Sequence, residues 1–323
     1  MLSVREMALE YVNPIKPYVK IARVDHWFKN VFVLPGIYVC WLFNPKPASE
    51  FLPWVLVGLF ATSLMASANY VINEYLDQET DRFHPLKKNR PGAQNLLSLN
   101  WTILEYFLLA SVGLALARWL SPSYFYLGIF FLIMGLIYNV PPVRSKDIIH
   151  LDVITESINN PIRFMMGWVL VAPLAVPPAS LLIAYWMFGA FLMAVKRLAE
   201  YRFIDDPKMA GLYRKSLAHY NEQKLFLAIF LYGLIFAFFS GAFMTKYKYE
   251  LMLSFPALGF MLAYYLYLGF KPNSPTQKPE ALYREVYFMA TLLLTTGFIL
   301  VLFNVDLNLG FLREQISTEL SRH

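Results

Sequence analysis

The sequence has a single cysteine in 323 residues, and only 15% of its residues carry charge. Cys40 sits in an apolar run without a partner in the chain, which excludes a disulfide scaffold and any CxxC metal or redox centre. An ordinary soluble domain is about a quarter charged and somewhat under half apolar. Here 58% of the residues are hydrophobic. So much apolar surface cannot be hidden behind so few charges, which excludes a soluble enzyme although the length would allow two domains. With 27 Phe and 21 Tyr, disorder and a collagen-like fibre are excluded as well. Also missing are an internal repeat, a linker between domains and, in residues 1–20, the continuous apolar stretch of a secretory leader. The Pro-rich Lys271–Pro279 stretch reads as a loop, so one domain over residues 1–323 is expected.

What is present is a succession of long apolar runs. Spans are placed near residues 28–43, 52–73, 102–120, 123–140, 153–173, 180–197, 224–244, 251–270 and 286–304. Most approach the roughly 20 residues that carry a helix across about 30 Å of hydrocarbon. The fifth is interrupted by Asn159, Asn160 and Pro161. Only helices and closed barrels satisfy every backbone group in lipid, and no period-two alternation is visible. The expected fold is therefore all-α, a polytopic membrane bundle of about nine helices. The stretch from Lys20 to Asn30, with Trp27 and Phe28, is expected at the interface before the first span.

The net charge of +6 could suggest nucleic acid, but the cations sort by side. With nine spans, the N-terminal segment and alternate loops hold 21 of the 28 basic residues. Lys46, Arg118, Lys246, Lys248, Arg313 and Arg322 fall on the opposite face, and Arg163 lies within the fifth span. Lys and Arg accumulate on the cytoplasmic side, so the N-terminus and the rich loops are expected there. The positive balance reads mainly as membrane topology, and no nucleic-acid partner is expected.

Polar groups near a membrane core are costly and therefore informative. The second span closes on Asn73, Glu74, Tyr75, Leu76, Asp77, Gln78, Glu79, Thr80 and Asp81. On a continuous helix, Asn73, Asp77 and Asp81 at i, i+4 and i+8 would keep within an arc of about 80°. Two carboxylates and an amide form a hard oxygen set suited to Mg²⁺, which shares its coordination with water and substrate phosphates. Spacing alone leaves a second reading open, a solvated helix end with ordinary surface acids. Directly after come Arg82, His84, Lys87, Lys88 and Arg90, a frame for a phosphorylated ligand. Three further polar stretches share that side. They are Trp27–Asn30 with Lys29, Tyr138–Asp147 with Arg144 and Lys146, and Lys196–Arg202, where Lys196 and Glu200 stand at i, i+4.

Together these motifs resemble the UbiA superfamily of intramembrane prenyltransferases, nine-helix proteins with Asn-Asp-x-x-Asp-x-x-x-Asp after the second helix. Here the motif is Asn73-Glu74-x-x-Asp77-x-x-x-Asp81, with Glu at its second position. The resemblance covers roughly residues 20–300. It is strongest to the decaprenyl-phosphate phosphoribosyltransferase branch, which moves phosphoribose from phosphoribosyl diphosphate to a polyprenyl phosphate. The branch pattern is matched at Trp27, Lys29 and Asn30, at Asp81, Arg82, His84, Pro85, Lys87, Arg90 and Pro91, at 196–200 and at 214–220. Prenyl-diphosphate enzymes of the superfamily carry a second acidic motif after the sixth helix. This chain has Lys196 and Arg197 with only Glu200 there. One departure from the branch is the polar segment Asp147–Gly167.

The resemblance implies Mg²⁺ as cofactor, held by Asn73, Asp77 and Asp81, with Asp77, Asp81, Lys196 and Glu200 as catalytic groups. Lys87, Arg90 and Arg197, together with Lys196, would bind donor phosphates, while Lys29, Arg144 and Lys146 would position the lipid phosphate. Its partners would be a polyprenyl phosphate or diphosphate lipid and a cytosolic donor or small acceptor, at the bacterial inner membrane. Prenyl transfer to an aromatic or other small acceptor is the alternative. A transporter is the distant one, since the polar groups gather at one face and do not form a route across the bilayer.

Overall fold

A computed structural model describes residues 14–307 except 205 and 278. Of the 28 basic residues counted for topology, Arg5, Lys278, Arg313 and Arg322 lie outside the described residues. Among those described, every regular element is helical. In chain order these are α1 (Lys16–Ile21), a 3₁₀ segment (Val24–Val33), α2 (Leu34–Phe43), α3 (Leu52–Leu76), α4 (Leu99–Leu120) and α5 (Pro122–Asn139). There follow α6 (Leu151–Ser157), α7 (Asn159–Val171), α8 (Ala179–Ile204), α9 (Pro207–Tyr213), α10 (Glu222–Tyr247), α11 (Phe255–Phe270) and α12 (Val286–Asn304).

Seven described helices are long and apolar enough to cross a membrane: α3, α4, α5, α8, α10, α11 with its preceding turn from Tyr249, and α12. The other two expected spans are each divided. Residues 28–43 begin in the 3₁₀ segment and become α-helical only at Leu34, where Pro35 opens α2 in a position that needs no backbone donor. Residues 153–173 break at Ile158 into α6 and α7, with Pro161 in the first turn of the second piece. Asn159 donates to the Glu156 carbonyl at this joint (3.0 Å), so its polar side chain serves the exposed backbone of the break.

The described chain falls into two compact units. One comprises the chain up to Pro177 together with Ile204–Asn221; the other comprises Pro178–Phe203 and the chain from Glu222 onward. In the first, α3 is the buried centre, and its Ala61, Thr62, Ser63, Ala66, Ser67 and Ala68 let α4, α5 and α7 approach closely. Met65, Phe131, Ile162 and Met166 fill the core between them. The approach is tightest where α2 crosses α7. A Cβ on Gly36 would lie 1.9 Å from the Phe164 carbonyl oxygen, and one on Gly167 2.0 Å from that of Val33. Only glycine at both positions lets these two backbones meet. In the second unit, Phe243, Met244, Leu251 and Leu302 form a smaller core.

Candidate active site

The acidic motif lies where α3 stops. The sequence reading kept Asn73, Asp77 and Asp81 on one continuous helix face, but α3 ends at Leu76 and Asp77 is its C-cap. Asp81 opens a separate 3₁₀ turn, held back toward the helix by its N–H on the Asp77 carbonyl (2.8 Å). The physical cause is a set of cations at the helix end, where unpaired carbonyls carry partial negative charge. Both Nη atoms of Arg144 lie 3.4 Å from the Leu76 carbonyl, and Nη2 donates to Asp77 Oδ1 at 2.8 Å. Arg144 itself stands in left-handed backbone (φ 32°, ψ 58°), which an L-residue adopts at a cost of about 1–2 kcal/mol.

Lys146 completes the first half of the site. Its ammonium donates to Asp77 Oδ1 at 2.5 Å and to Asn139 Oδ1 at 2.9 Å, and its side chain is almost wholly buried. The Asn73 amide donates to Asp77 Oδ2 (3.1 Å) and to Asn139 Oδ1 (2.5 Å). Burial pushes the Asp77 carboxyl upward, but Lys146 and Arg144 outweigh it and hold the group below its ordinary value. Burial draws the Lys146 ammonium down to about 8, against the opposing pull of Asp77.

Arg90 organises the other half. Its Nη1 donates to Asp81 Oδ2 at 2.7 Å and stands 3.6 Å from Glu74 Oε2. Burial lowers this guanidinium, yet Asp81 and Glu74 reverse the effect and raise it. Lys87 donates to the Tyr213 hydroxyl and stands 4.4 Å from the centre of that ring. His84, which accepts the Leu86 N–H on Nδ1 (3.1 Å), meets Tyr213 edge-on, a structural part consistent with its place beside Pro85. Lys29 lies beside His26, 2.7 Å from Nδ1.

The structure therefore brings Asn73, Asp77, Arg144 and Lys146 into one cluster, and Asp81 and Arg90 into another around Glu74. Lys196, Arg197 and Glu200 belong to the second unit, near the end of α8. There Arg197 and Glu200 form a fully buried pair at 2.6 Å, a contact that the i, i+4 reading of Lys196 and Glu200 did not include. Lys196 is half-buried. Sequence reasoning assigned no role to Asn139 or Tyr213. The first carried a signal, a polar residue ending an apolar span, and the second had none.

Among the described residues, no three His, Cys, Asp or Glu side chains are grouped closely enough to hold a metal ion by themselves. The donor chemistry nonetheless fits a hard divalent ion. Oε1 of Glu74 is buried and accepts no hydrogen bond, an arrangement costly for a carboxylate oxygen unless a cation completes it. Asn73, Glu74, Asp77 and Asp81 would supply an all-oxygen set of the kind Mg²⁺ prefers.

The sequence profile of the UbiA prenyltransferase family matches residues 31–292. The chain belongs to this family. Decaprenyl-phosphate phosphoribosyltransferase of Mycobacterium tuberculosis is 29% identical over 215 residues, 66% of this chain and 68% of that protein. The uncharacterized protein y4nM of Sinorhizobium fredii is 28% identical over 200 residues, 61% of this chain but only 36% of y4nM, so the match spans about a third of that relative. Among solved structures, a UbiA homolog from Archaeoglobus fulgidus bound to GPP and Mg²⁺ has a TM-score of 0.66 at 19% identity, covering 90% of this chain and all of the other. The fold is thus that of an integral membrane UbiA transferase.

Proposed function

We propose that this UbiA-family transferase moves 5-phosphoribose from phosphoribosyl diphosphate to a polyprenyl phosphate, with Mg²⁺, at the cytoplasmic face of a bacterial membrane. The observation that carries the reading is the state of α8. Its one carboxylate there, Glu200, is neutralised by Arg197 at 2.6 Å, and Lys196 adds further positive charge. With Glu200 so engaged, α8 carries no acidic cluster of its own for a second metal, which suits a donor held through one metal ion. The likeness to the mycobacterial phosphoribosyltransferase supports the same choice.

Bound Mg²⁺ would neutralise the departing diphosphate as charge develops on it. Asn73, Glu74, Asp77 and Asp81 would hold that ion. Lys87 and Arg90 would bind diphosphate oxygens. Arg144 and Lys146 keep Asp77 ionised and aligned before substrate arrives. Lys29 draws in the lipid phosphate. The C1–O bond to diphosphate breaks and a C1–O bond to the lipid phosphate forms. The nucleophile is already an anion, so no proton has to be removed and no general base is required.

Prenyl transfer from a polyprenyl diphosphate is the second reading, because the same motif would hold any diphosphate donor. Purified protein offered labelled phosphoribosyl diphosphate with polyprenyl phosphate, and separately polyprenyl diphosphate with aromatic acceptors, separates the two. Mg²⁺-dependent phosphoribosyl lipid is expected; prenylated acceptor without it would overturn the proposal.

A further inference from the structure

The polar segment of residues 147–167, which departs from the phosphoribosyltransferase pattern, carries acids that the proposed reaction does not use. Two of them, Asp152 and Glu156, stand at i, i+4 on α6, and both connect to one stretch of the first unit, residues 213–220. Asp152 is completely buried; its Oδ1 accepts from the Tyr220 hydroxyl at 2.8 Å and its Oδ2 from the Ser216 hydroxyl at 3.2 Å. Glu156 Oε2 accepts from the Tyr138 hydroxyl (2.7 Å), which in turn accepts from Arg214 Nη1 (2.9 Å). The Tyr220 hydroxyl also accepts the N–H of His150 (2.8 Å), whose positive φ of 65° is kept by a non-glycine residue only where its surroundings enforce it.

A buried carboxylate is a costly way to fasten one segment to another, since apolar contacts would do so without taking a charge out of water. What it adds is direction. Hydrogen bonds to an ionised group fix a register that apolar surfaces leave loose.

That register matters at the other end of the stretch. Tyr213 is buried, its hydroxyl accepts from Lys87, and its ring centre lies 4.4 Å from that ammonium and 4.5 Å from the His84 ring. Tyr213 closes α9, which packs on the 3₁₀ turn Lys215–His219 so closely that a Cβ on Gly211 would lie 2.9 Å from that of Ala218. Tyr213 therefore follows the turn that Asp152 holds. We propose that Asp152 is a positioning residue of the transferase: its hold on Ser216 and Tyr220 sets Tyr213 against Lys87 and so fixes where the Lys87 charge meets the donor. The inference rests on the donor-binding role of Lys87, whichever diphosphate donor is used.

The test measures binding without turnover, by calorimetry in detergent with magnesium pyrophosphate as the probe. The proteins are wild type, Asp152→Ala, Asp152→Asn, Tyr220→Phe, Lys87→Gln and the Asp152→Ala/Lys87→Gln double variant. Asp152→Ala and Tyr220→Phe are expected to weaken Kd about threefold to tenfold, and Asp152→Asn, which keeps an acceptor for the Tyr220 hydroxyl, to recover most of the loss. Because Asp152 acts through Lys87, its removal is expected to add about twofold or less in the Lys87→Gln background, a coupling that a residue serving stability alone does not show. Losses that multiply in the double variant, or Asp152→Ala binding like wild type while Lys87→Gln binds weakly, overturn the proposal and leave the donor site standing. Lys87→Gln binding like wild type, or no binding by wild type, overturns the donor role of Lys87 and the proposal with it. Should Asp152→Ala not fold, Tyr220→Phe alone and in the Lys87→Gln background decides the same question.

Discussion

Asp77 takes more of the site's contacts than any other motif residue: Lys146, Arg144 and the Asn73 amide all reach its carboxylate. Removing its charge leaves the buried Lys146 without its counter-ion, leaves Arg144 with only Asp147 (3.1 Å), and would deprive the metal of a ligand. Asp77→Asn and Asp81→Asn are each expected to lower turnover by about 10²–10³-fold or more while membrane insertion is unchanged, read from single-turnover product and membrane yield. Lys146 gives a pH signature. Its pKa of about 8 means that the charged form, which keeps Asp77 aligned, is lost as pH rises through that value. Donor affinity is therefore expected to fall above about pH 8, and Lys146→Arg, which stays charged, to remove that fall. Spacing made Asn73 and Asp77 legible as partners because they are four residues apart. Lys146 is 69 residues from Asp77 along the chain, and the sequence reading assigned it to the lipid phosphate; only folding shows it on the carboxylate.

Elements show the same division. Apolar runs long enough to cross a bilayer were legible because hydrocarbon thickness imposes a length. The two that divide were less so, since their breaks depend on what packs beside them. Asn30 and Trp27 hold residues 24–33 to α3 through serines that no local pattern marks as partners. The crossing of α2 and α7 also had no sequence signal beyond two isolated glycines. Gly36→Ala and Gly167→Ala each place a methyl group against a backbone carbonyl that cannot rotate away. Each is expected to destabilise by about 1–3 kcal/mol or more, seen as a lower unfolding midpoint in detergent, whereas alanine at Gly259, where nothing approaches, leaves it nearly unchanged.

At the scale of the whole molecule, the charge distribution predicts orientation. In a Cys40→Ala background, Lys88→Cys is expected to react with an impermeant maleimide only from the cytoplasmic side, and Ser49→Cys only from the other; the reverse pattern would invert the topology. The sequence by itself determined a helical membrane transferase, because a bilayer admits few ways to satisfy a backbone and because the motif at 73–81 keeps its residues close along the chain. Tertiary structure alone decided how the motif is held. The α3 helix stops at Leu76 under Arg144, and Asp77 and Asp81 are claimed by cations from separate loops. Charges brought out of water must find partners wherever the fold places them, and those partners are distant in the chain. The scarcity of charge noted at the outset thus has a structural counterpart: the few ionisable groups near the hydrocarbon are concentrated in paired clusters.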